Sequence, residues 1–434
     1  MLRRKKVFGF IFMVCLLIAL AACAPQRNIE QAGKTGGNES KSDQSSQNNG
    51  DDSSAMPEKP DKLIMWANDA EEQIEALKKI TQRYTEKTGI KVKVEKVSML
   101  DQQKKLALAG PAGNGADLIY QPHDRLGDLV AQGLVKPIDF SKDELSGYSK
   151  AAVQAFSFDG AVYAAPAVIE TYALYYNKKL IPTVPETFED LFAAAKPLTH
   201  PDQDKYGFLM EENFYYNYIF FKNHGGYIFG GEPGSYDTSD IGLNNEGAVA
   251  GGKQYQKYFT EGLIPVSVTG DVLNGLFTEG KVGMVISGPW NIPSYSEALG
   301  DQLGSAQLPK INGETAHSFV GVKGWLVSYY SKHPKWAADL AKFITNDESA
   351  ETYFAIAGEM PPRPKVLDSL DKPIYKGFTE QIKYGVPMPN VPEMSQVWGP
   401  MNDAMKFLAQ GKDVEKVLDQ AVQQIKQKIQ ASGQ

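Results

Sequence analysis

From Lys62 onward the chain alternates short apolar strands with amphipathic helices, and that alternation confines it to an α/β fold. Lys62-Leu63-Ile64-Met65-Trp66 reads as a strand. Asp69 follows, with Glu72 three residues later as the partner of a capping box. Ile74, Leu77, Ile80 and Tyr84 recur near helical spacing until Gly89 stops the helix. Ile90, Val92 and Val94 then alternate with Lys91, Lys93 and Glu95, a half-exposed strand, so the body opens as a βαβ unit. A helical segment over 102–109 leads through Gly110-Pro111-Ala112-Gly113 to a strand at 116–120. Further strands are expected at 281–286 and 324–328, and further helices over 334–345 and 413–429. In the last helix Val414, Val417, Ala421, Ile425 and Ile429 form one stripe. The pattern predicts mainly parallel sheets. No repeat of fixed period occurs, and 434 residues leave room for about two or three domains.

The first 22 residues read as an address. Arg3, Arg4, Lys5 and Lys6 precede an almost purely apolar stretch from Val7 to Ala22, short of the ~20 residues a membrane span needs. It ends in Leu20-Ala21-Ala22-Cys23, which resembles the lipobox of bacterial lipoproteins, with Cys23 as the lipidated residue. The alternative is an ordinary secretory signal cut elsewhere. Cleavage before Cys23 removes 22 residues and four basic side chains, leaving 412 residues and taking the formal charge from -7 to -11. From Ala24 to Lys59 there is no Leu, Val, Phe, Tyr or Trp, so the segment cannot bury enough apolar surface to offset its ordering entropy. It reads as a tether with an average reach of about 30–35 Å. Signal, lipid and tether together predict an extracytoplasmic protein held to the cell membrane through its anchor alone.

Composition narrows the chemistry. The chain is 42% hydrophobic and 22% charged, which excludes wholesale disorder and a multi-span membrane protein. A negative net charge leaves no global basic field for nucleic acid. Both cysteines, Cys15 and Cys23, lie in the leader region, so the body has no disulfide framework and no cysteine-ligated metal. His123, His200, His224, His317 and His333 are scattered without metal-binding spacing. No phosphate-binding loop, dinucleotide fingerprint, nucleophile elbow or EF-hand loop is present. No cofactor or metal is expected. A glycosidase stays open, because its two carboxylates need no local signature.

Five polar–aromatic clusters stand where strands end. They are Gln121-Pro122-His123-Asp124-Arg125; Ile169-Glu170-Thr171-Tyr172 leading to Tyr176-Asn177; Asn213-Phe214-Tyr215-Tyr216-Asn217-Tyr218; Ser287-Gly288-Pro289-Trp290; and Met388-Pro389-Asn390 with Met394 and Trp398 beyond. Asp124 and Arg125 can offer a carboxylate and a guanidinium to a polyhydroxyl ligand, or form a surface ion pair. Glu170 sits in an otherwise apolar strand, where burial is costly without a partner. For any single aromatic, core packing is the commoner role.

Taken together and in this order, these clusters resemble the extracellular solute-binding proteins of bacterial ABC importers, and most of all the maltose/maltodextrin-binding family. The resemblance runs from about Lys62 to Ile429 and rests on His123-Asp124-Arg125, Tyr176-Asn177-Lys178, Gly288-Pro289-Trp290, Phe319-Val320-Gly321-Val322 and Met388-Pro389-Asn390 with Pro392, Met394-Ser395 and Trp398. It implies a monomeric, non-enzymatic, two-lobed clamp of the periplasmic-binding-protein-like (type II) α/β class that delivers maltodextrin-type oligosaccharides to permease subunits. By matching positions, one lobe takes residues 60–168 and 323–367 and the other 172–318 and 374–434. The chain then crosses between lobes near 169–171, 320–322 and 368–373. The resemblance places Trp290, Trp398 and Tyr215 where sugar rings stack, and Asp124, Arg125 and Glu170 where hydroxyls are bonded. Asn68, Gln121, Asn213 and Met388 complete the candidate set.

The sequence also departs from the family. Gln121 replaces a stacking tryptophan, Asn213-Phe214-Tyr215 replaces Glu-Pro-Tyr, and Gly399 and Asn402 replace a tyrosine and an arginine. Near Asn68 an Asp-Lys pair is missing, with Asp69 and Glu71 the nearest acids. These changes point to longer maltodextrins or another linkage. Competing readings are another oligosaccharide or solute on the same fold, a glycoside hydrolase, and a surface adhesin.

Overall fold

The computed structural model describes residues 56–232, 235–369 and 372–433. The leader, Cys23 and most of the tether lie outside the described residues. Residues 56–59, included in the expected tether, are held against the body: the Trp336 indole donates to the carbonyls of Pro57 (3.0 Å) and Glu58 (3.2 Å), and Lys59 donates to Thr88 O.

Two sheets carry the fold. In the first, Lys62–Ala67 lies between Lys91–Lys96 and Leu118–Pro122, parallel to both. Leu118–Pro122 pairs antiparallel with the ten-residue strand Phe319–Ser328, whose other edge takes Ala164–Glu170, also antiparallel. Successive residues of Lys62–Ala67 face opposite cores. Leu63 and Met65 pack with Ile74, Leu77 and Ile80 of the helix Glu71–Thr88, and Trp66 packs into the other cluster. The second sheet runs Leu303–Ala306, Ala173–Asn177, Val282–Ser287 and Tyr206–Leu209; its first two pairings are antiparallel and its last is parallel. Both sheets are therefore mixed, not mainly parallel. Ala164–Glu170, which leads out of the first sheet, runs in the direction of its parallel strands, and Phe319–Ser328, which leads back, runs against them.

Helix boundaries follow local chemistry, with one correction. Asp413 caps Val414–Ser432 by accepting from Lys416 N, and Gly89, at φ +80°, closes Glu71–Thr88 as the αL residue. Asp69 does not cap that helix. Its N-cap is Ala70, with no side-chain bond, and the acids Glu71 and Glu72 occupy the first turn.

Three segments meet side by side between the sheets. Glu170 is opposite Gly321, and Phe319 and Val320 pair in parallel with Val386 and Pro387. Thr171 Oγ1 donates to Phe319 O at 2.8 Å. Pro364–Leu367 packs against the helix Asp347–Ala357, whereas Lys376–Gln381 packs against Leu303–Ala306 and Ala173–Asn177 of the second sheet. Of the passage expected at 368–373, residues 370 and 371 lie outside the described residues. Among the described residues no helix is long and apolar enough to cross a membrane.

Candidate ligand-binding site

A cavity of about 600 Å³ opens between the ends of the two sheets. Nine of the ten residues singled out as ligand contacts line it: Asp124, Arg125, Glu170 and Asn68, then Asn213, Tyr215 and Trp290, then Met388 and Trp398. Gln121 does not. Its side chain is buried and donates to Met99 O (2.6 Å) and Tyr120 O (2.9 Å). Met99 and the exposed Leu100 supply the cavity wall on that side.

The first wall is built on a buried histidine. His123 sits in the single turn after Leu118–Pro122. Its Nδ1 accepts from Val322 N (3.1 Å), so Nε2 carries the proton and donates to Met388 O (3.0 Å). That fixes Asp124 beside it. The Trp398 indole donates to Asp124 Oδ2 at 2.9 Å, and Arg125 Nε lies 3.8 Å from the same oxygen. Asn68 Oδ1 accepts from Met99 N at 3.0 Å, which holds the start of the helix Met99–Ala109 at the rim.

The floor is a buried charge cluster. Glu170 ends its strand opposite Gly321, where a Cβ would stand 3.1 Å from Glu170 Cγ; glycine leaves room for the carboxylate. Lys323 Nζ lies 2.6 Å from Glu170 Oε2 and 3.1 Å from Glu359 Oε1. Glu359 Oε2 also accepts from Gln73 Nε2 (2.9 Å) and Tyr353 OH (2.8 Å). Burial pushes the Glu170 carboxyl above the usual carboxylate range, and Lys323 only partly opposes this. Burial alone would lower the Lys323 ammonium, but the two carboxylates outweigh it and raise it.

The second wall is aromatic. Asn213 caps the helix Phe214–Asn223, accepting from Tyr216 N and donating to Glu211 Oε2 (2.9 Å). Asn402 Oδ1 accepts from Phe214 N at 2.9 Å. Tyr215 packs edge-on against Tyr172. Trp290 folds back over Gly288, where a Cβ would come within 2.1 Å of the indole, so only glycine allows that ring position. Trp398 is held edge-on by Phe214 and Phe319. Two buried polar atoms of the lining residues have neither a hydrogen-bond partner nor an ion pair: Gln73 Oε1 and Tyr215 OH. Glu170 Oε2 is held instead by the Lys323 ammonium, 2.6 Å away.

Several lining residues were not singled out in the sequence: Lys323, Gln73, Glu72, Glu211, Asn291 and Ser294. Lys323 carried the same signal as Glu170, a charge inside an apolar strand, and Glu211 stands two residues before Asn213 at a strand end. The other four gave no local signal. Among the described residues no group of three or more His, Cys, Asp or Glu is placed to hold a metal.

Residues 79–380 match the family model described as bacterial extracellular solute-binding protein. The chain belongs to that family. It is 35% identical over 98% of both chains to the galactooligosaccharide-binding protein of Bacillus subtilis (strain 168). It is 31% identical, again over 98% of both, to the maltodextrin-binding protein MdxE of the same organism. Among solved structures it resembles a cyclo/maltodextrin-binding protein complexed with maltotetraose (46% identity, TM-score 0.75, 86% of this chain and 98% of that one). It also resembles the Thermus thermophilus maltotriose binding protein bound with maltotriose (30% identity, TM-score 0.79, 85% and 100%). The fold is accordingly the two-lobed, type II periplasmic-binding-protein-like α/β clamp. The family is one of solute-binding proteins, not of enzymes.

Proposed function

We propose that this chain is the extracytoplasmic, lipid-anchored substrate-binding component of an ABC importer, a monomer that takes maltodextrin-type oligosaccharides and hands them intact to permease subunits. The lobes are residues 60–168 with 323–367 and 172–318 with 374–434, joined at 169–171, 320–322 and 368–373. The observation that carries the reading is the pair of unpartnered buried polar atoms, Gln73 Oε1 and Tyr215 OH, beside the Glu170–Lys323 ion pair in a cavity bordered by Trp290 and Trp398. A neutral polyol answers both features, since its hydroxyls pair with the polar atoms and its C–H faces cover the rings. Leaving such groups unpaired costs about 1–3 kcal/mol each, so a ligand that pairs them gains on that scale.

The lining carries four carboxylates, Glu72, Asp124, Glu170 and Glu211, against two cations, Arg125 and Lys323. That balance disfavours phosphorylated or uronic sugars. A second reading, galacto-oligosaccharide as the ligand, is favoured by the 35% identical relative. Calorimetric titration against glucose, maltose, longer maltodextrins and galacto-oligosaccharides decides between them. Submicromolar to micromolar binding of a maltodextrin, with the sugar recovered unshortened, is the expected result. Preference for the galacto series replaces the ligand, and shortened sugar establishes an enzyme.

Anchoring is tested separately. Cys23→Ala is expected to release the protein from the membrane fraction or leave the precursor uncleaved. Normal processing and membrane attachment of that variant rule the anchor out.

A further inference from the structure

Lys323 is a buried ammonium shared by two buried carboxylates, and the two carboxylates are not equivalent. Glu359 is saturated: Lys323 donates to Oε1, and Gln73 and Tyr353 donate to Oε2. Glu170 Oε2 lies 2.6 Å from the same ammonium, which is its ion-pair partner, and its side chain lines the cavity. The ammonium also lies 4.9 Å from the centroid of the Trp290 ring, a cation–π contact that engages one face of the indole. One ammonium thus orients an acceptor and a stacking platform together.

We propose that Lys323 is the positioning residue of the sugar site: it keeps Glu170 ionised and aimed, so that Glu170 accepts a hydrogen bond from a hydroxyl of the sugar ring that stacks on Trp290. The proposal rests on the oligosaccharide reading above. Its physical basis is the cost of a buried charge. A carboxylate out of water and without a cation takes up a proton, and a protonated Glu170 would offer a donor where the site now offers an acceptor. The charged and titratable groups facing Glu170 are Lys323 on the paired strand, Glu359 beyond it, Asp124 from the turn at 123–125, and the phenols Tyr120 from Leu118–Pro122 and Tyr215 and Tyr216 from Phe214–Asn223. Lys323 is the cation among them, and the carboxylates all oppose ionisation. Two carboxylates around one ammonium leave a net negative charge, which hydroxyl donors from a ligand would offset.

The test measures maltotetraose affinity as a function of pH. Binding needs ionised Glu170, so affinity is present above its pKa and lost as pH falls through it. Lys323→Met keeps an unbranched side chain of similar length without the charge. It is expected to weaken binding at pH 7 at least tenfold and to move the midpoint of the affinity–pH curve upward by about one unit or more. Lys323→Arg should restore most of the affinity and return the midpoint. Glu170→Gln should weaken binding and abolish that pH dependence. Should Lys323→Met fail to fold, Lys323→Met/Glu359→Gln is compared with Glu359→Gln alone, because loss of the Glu359 charge by itself lowers the Glu170 midpoint; the same upward shift is expected between those two variants. Weaker binding with an unmoved midpoint makes Lys323 a structural residue only and overturns the proposal, as does unaltered affinity. Failure of the unaltered protein to bind any oligosaccharide instead overturns the functional reading, and this inference with it.

Discussion

Trp398→Ala is expected to weaken oligosaccharide binding more than Trp290→Ala, while both variants stay folded. Removing either ring takes away one apolar platform, which is worth about 1–3 kcal/mol from lost area and aromatic packing. Trp398 has a second task. Its indole N–H holds Asp124 Oδ2 at 2.9 Å, and its plane is set by the edges of Phe214 and Phe319. Its loss therefore also frees a buried carboxylate from its fixed orientation, on the scale of about 1–3 kcal/mol more. Trp398→Phe separates the two contributions, because it keeps an aromatic face and removes the donor. Titration calorimetry on the three variants gives the ranking. If Trp290→Ala and Trp398→Ala both bind as tightly as the unaltered protein, the sugar does not lie against these rings.

The sequence made much of the fold legible and left out the parts that depend on direction. Strands at 62–66, 281–286 and 324–328 and the helices over 334–345 and 413–429 fall within a few residues of the observed elements. Periodicity carries burial, and burial is what fixes those elements. It does not carry strand polarity, so the antiparallel pairing of Phe319–Ser328 with Leu118–Pro122, Ala164–Glu170 and Val135–Lys136 was invisible. The same strand was expected only from residue 324, because Gly321 and Lys323 interrupt its apolar run. Both are explained by the site: Gly321 makes room for Glu170, and Lys323 pairs with it. A stretch that breaks the local pattern marks the place where function overrides it.

The candidate site shows the same division. Clusters at strand ends gave ten of the 22 cavity-lining residues, since loops at sheet edges are where side chains from separate elements converge. Partnerships between distant residues were not readable. Lys323 and Glu359 are 36 positions apart, and Gln73 and Glu359 are 286 apart. Gln121 shows the limit from the other side. It stands at a position matched by a stacking residue in the resembling family, but its amide is drawn under Met99 by two backbone carbonyls.

His123 gives the largest expected effect on stability. The segments at 170–171, 319–322 and 386–388 lie side by side where the two sheets meet, and His123 joins two of them, through Val322 N and Met388 O. His123→Phe keeps a ring of similar size against Phe156 and removes both nitrogens. Two backbone groups in a buried environment then lack partners, at about 1–3 kcal/mol each. The unfolding midpoint in denaturant should fall accordingly at pH 8. The pH dependence identifies the cause. Burial holds the folded His123 pKa below 6.5, against the opposing pull of the Asp124 carboxylate. Above pH 6.5 the imidazole is neutral in both folded and unfolded chains, and the unaltered protein has its full advantage over the variant. As pH falls below 6.5, the unfolded chain gains a proton that the folded chain refuses, so the unaltered protein loses stability until pH passes below the folded pKa. Phenylalanine has no such proton. The stability gap between the two proteins should therefore narrow between pH 6.5 and lower pH, and a gap that stays constant from pH 8 to pH 5 would show that the folded histidine is not held neutral.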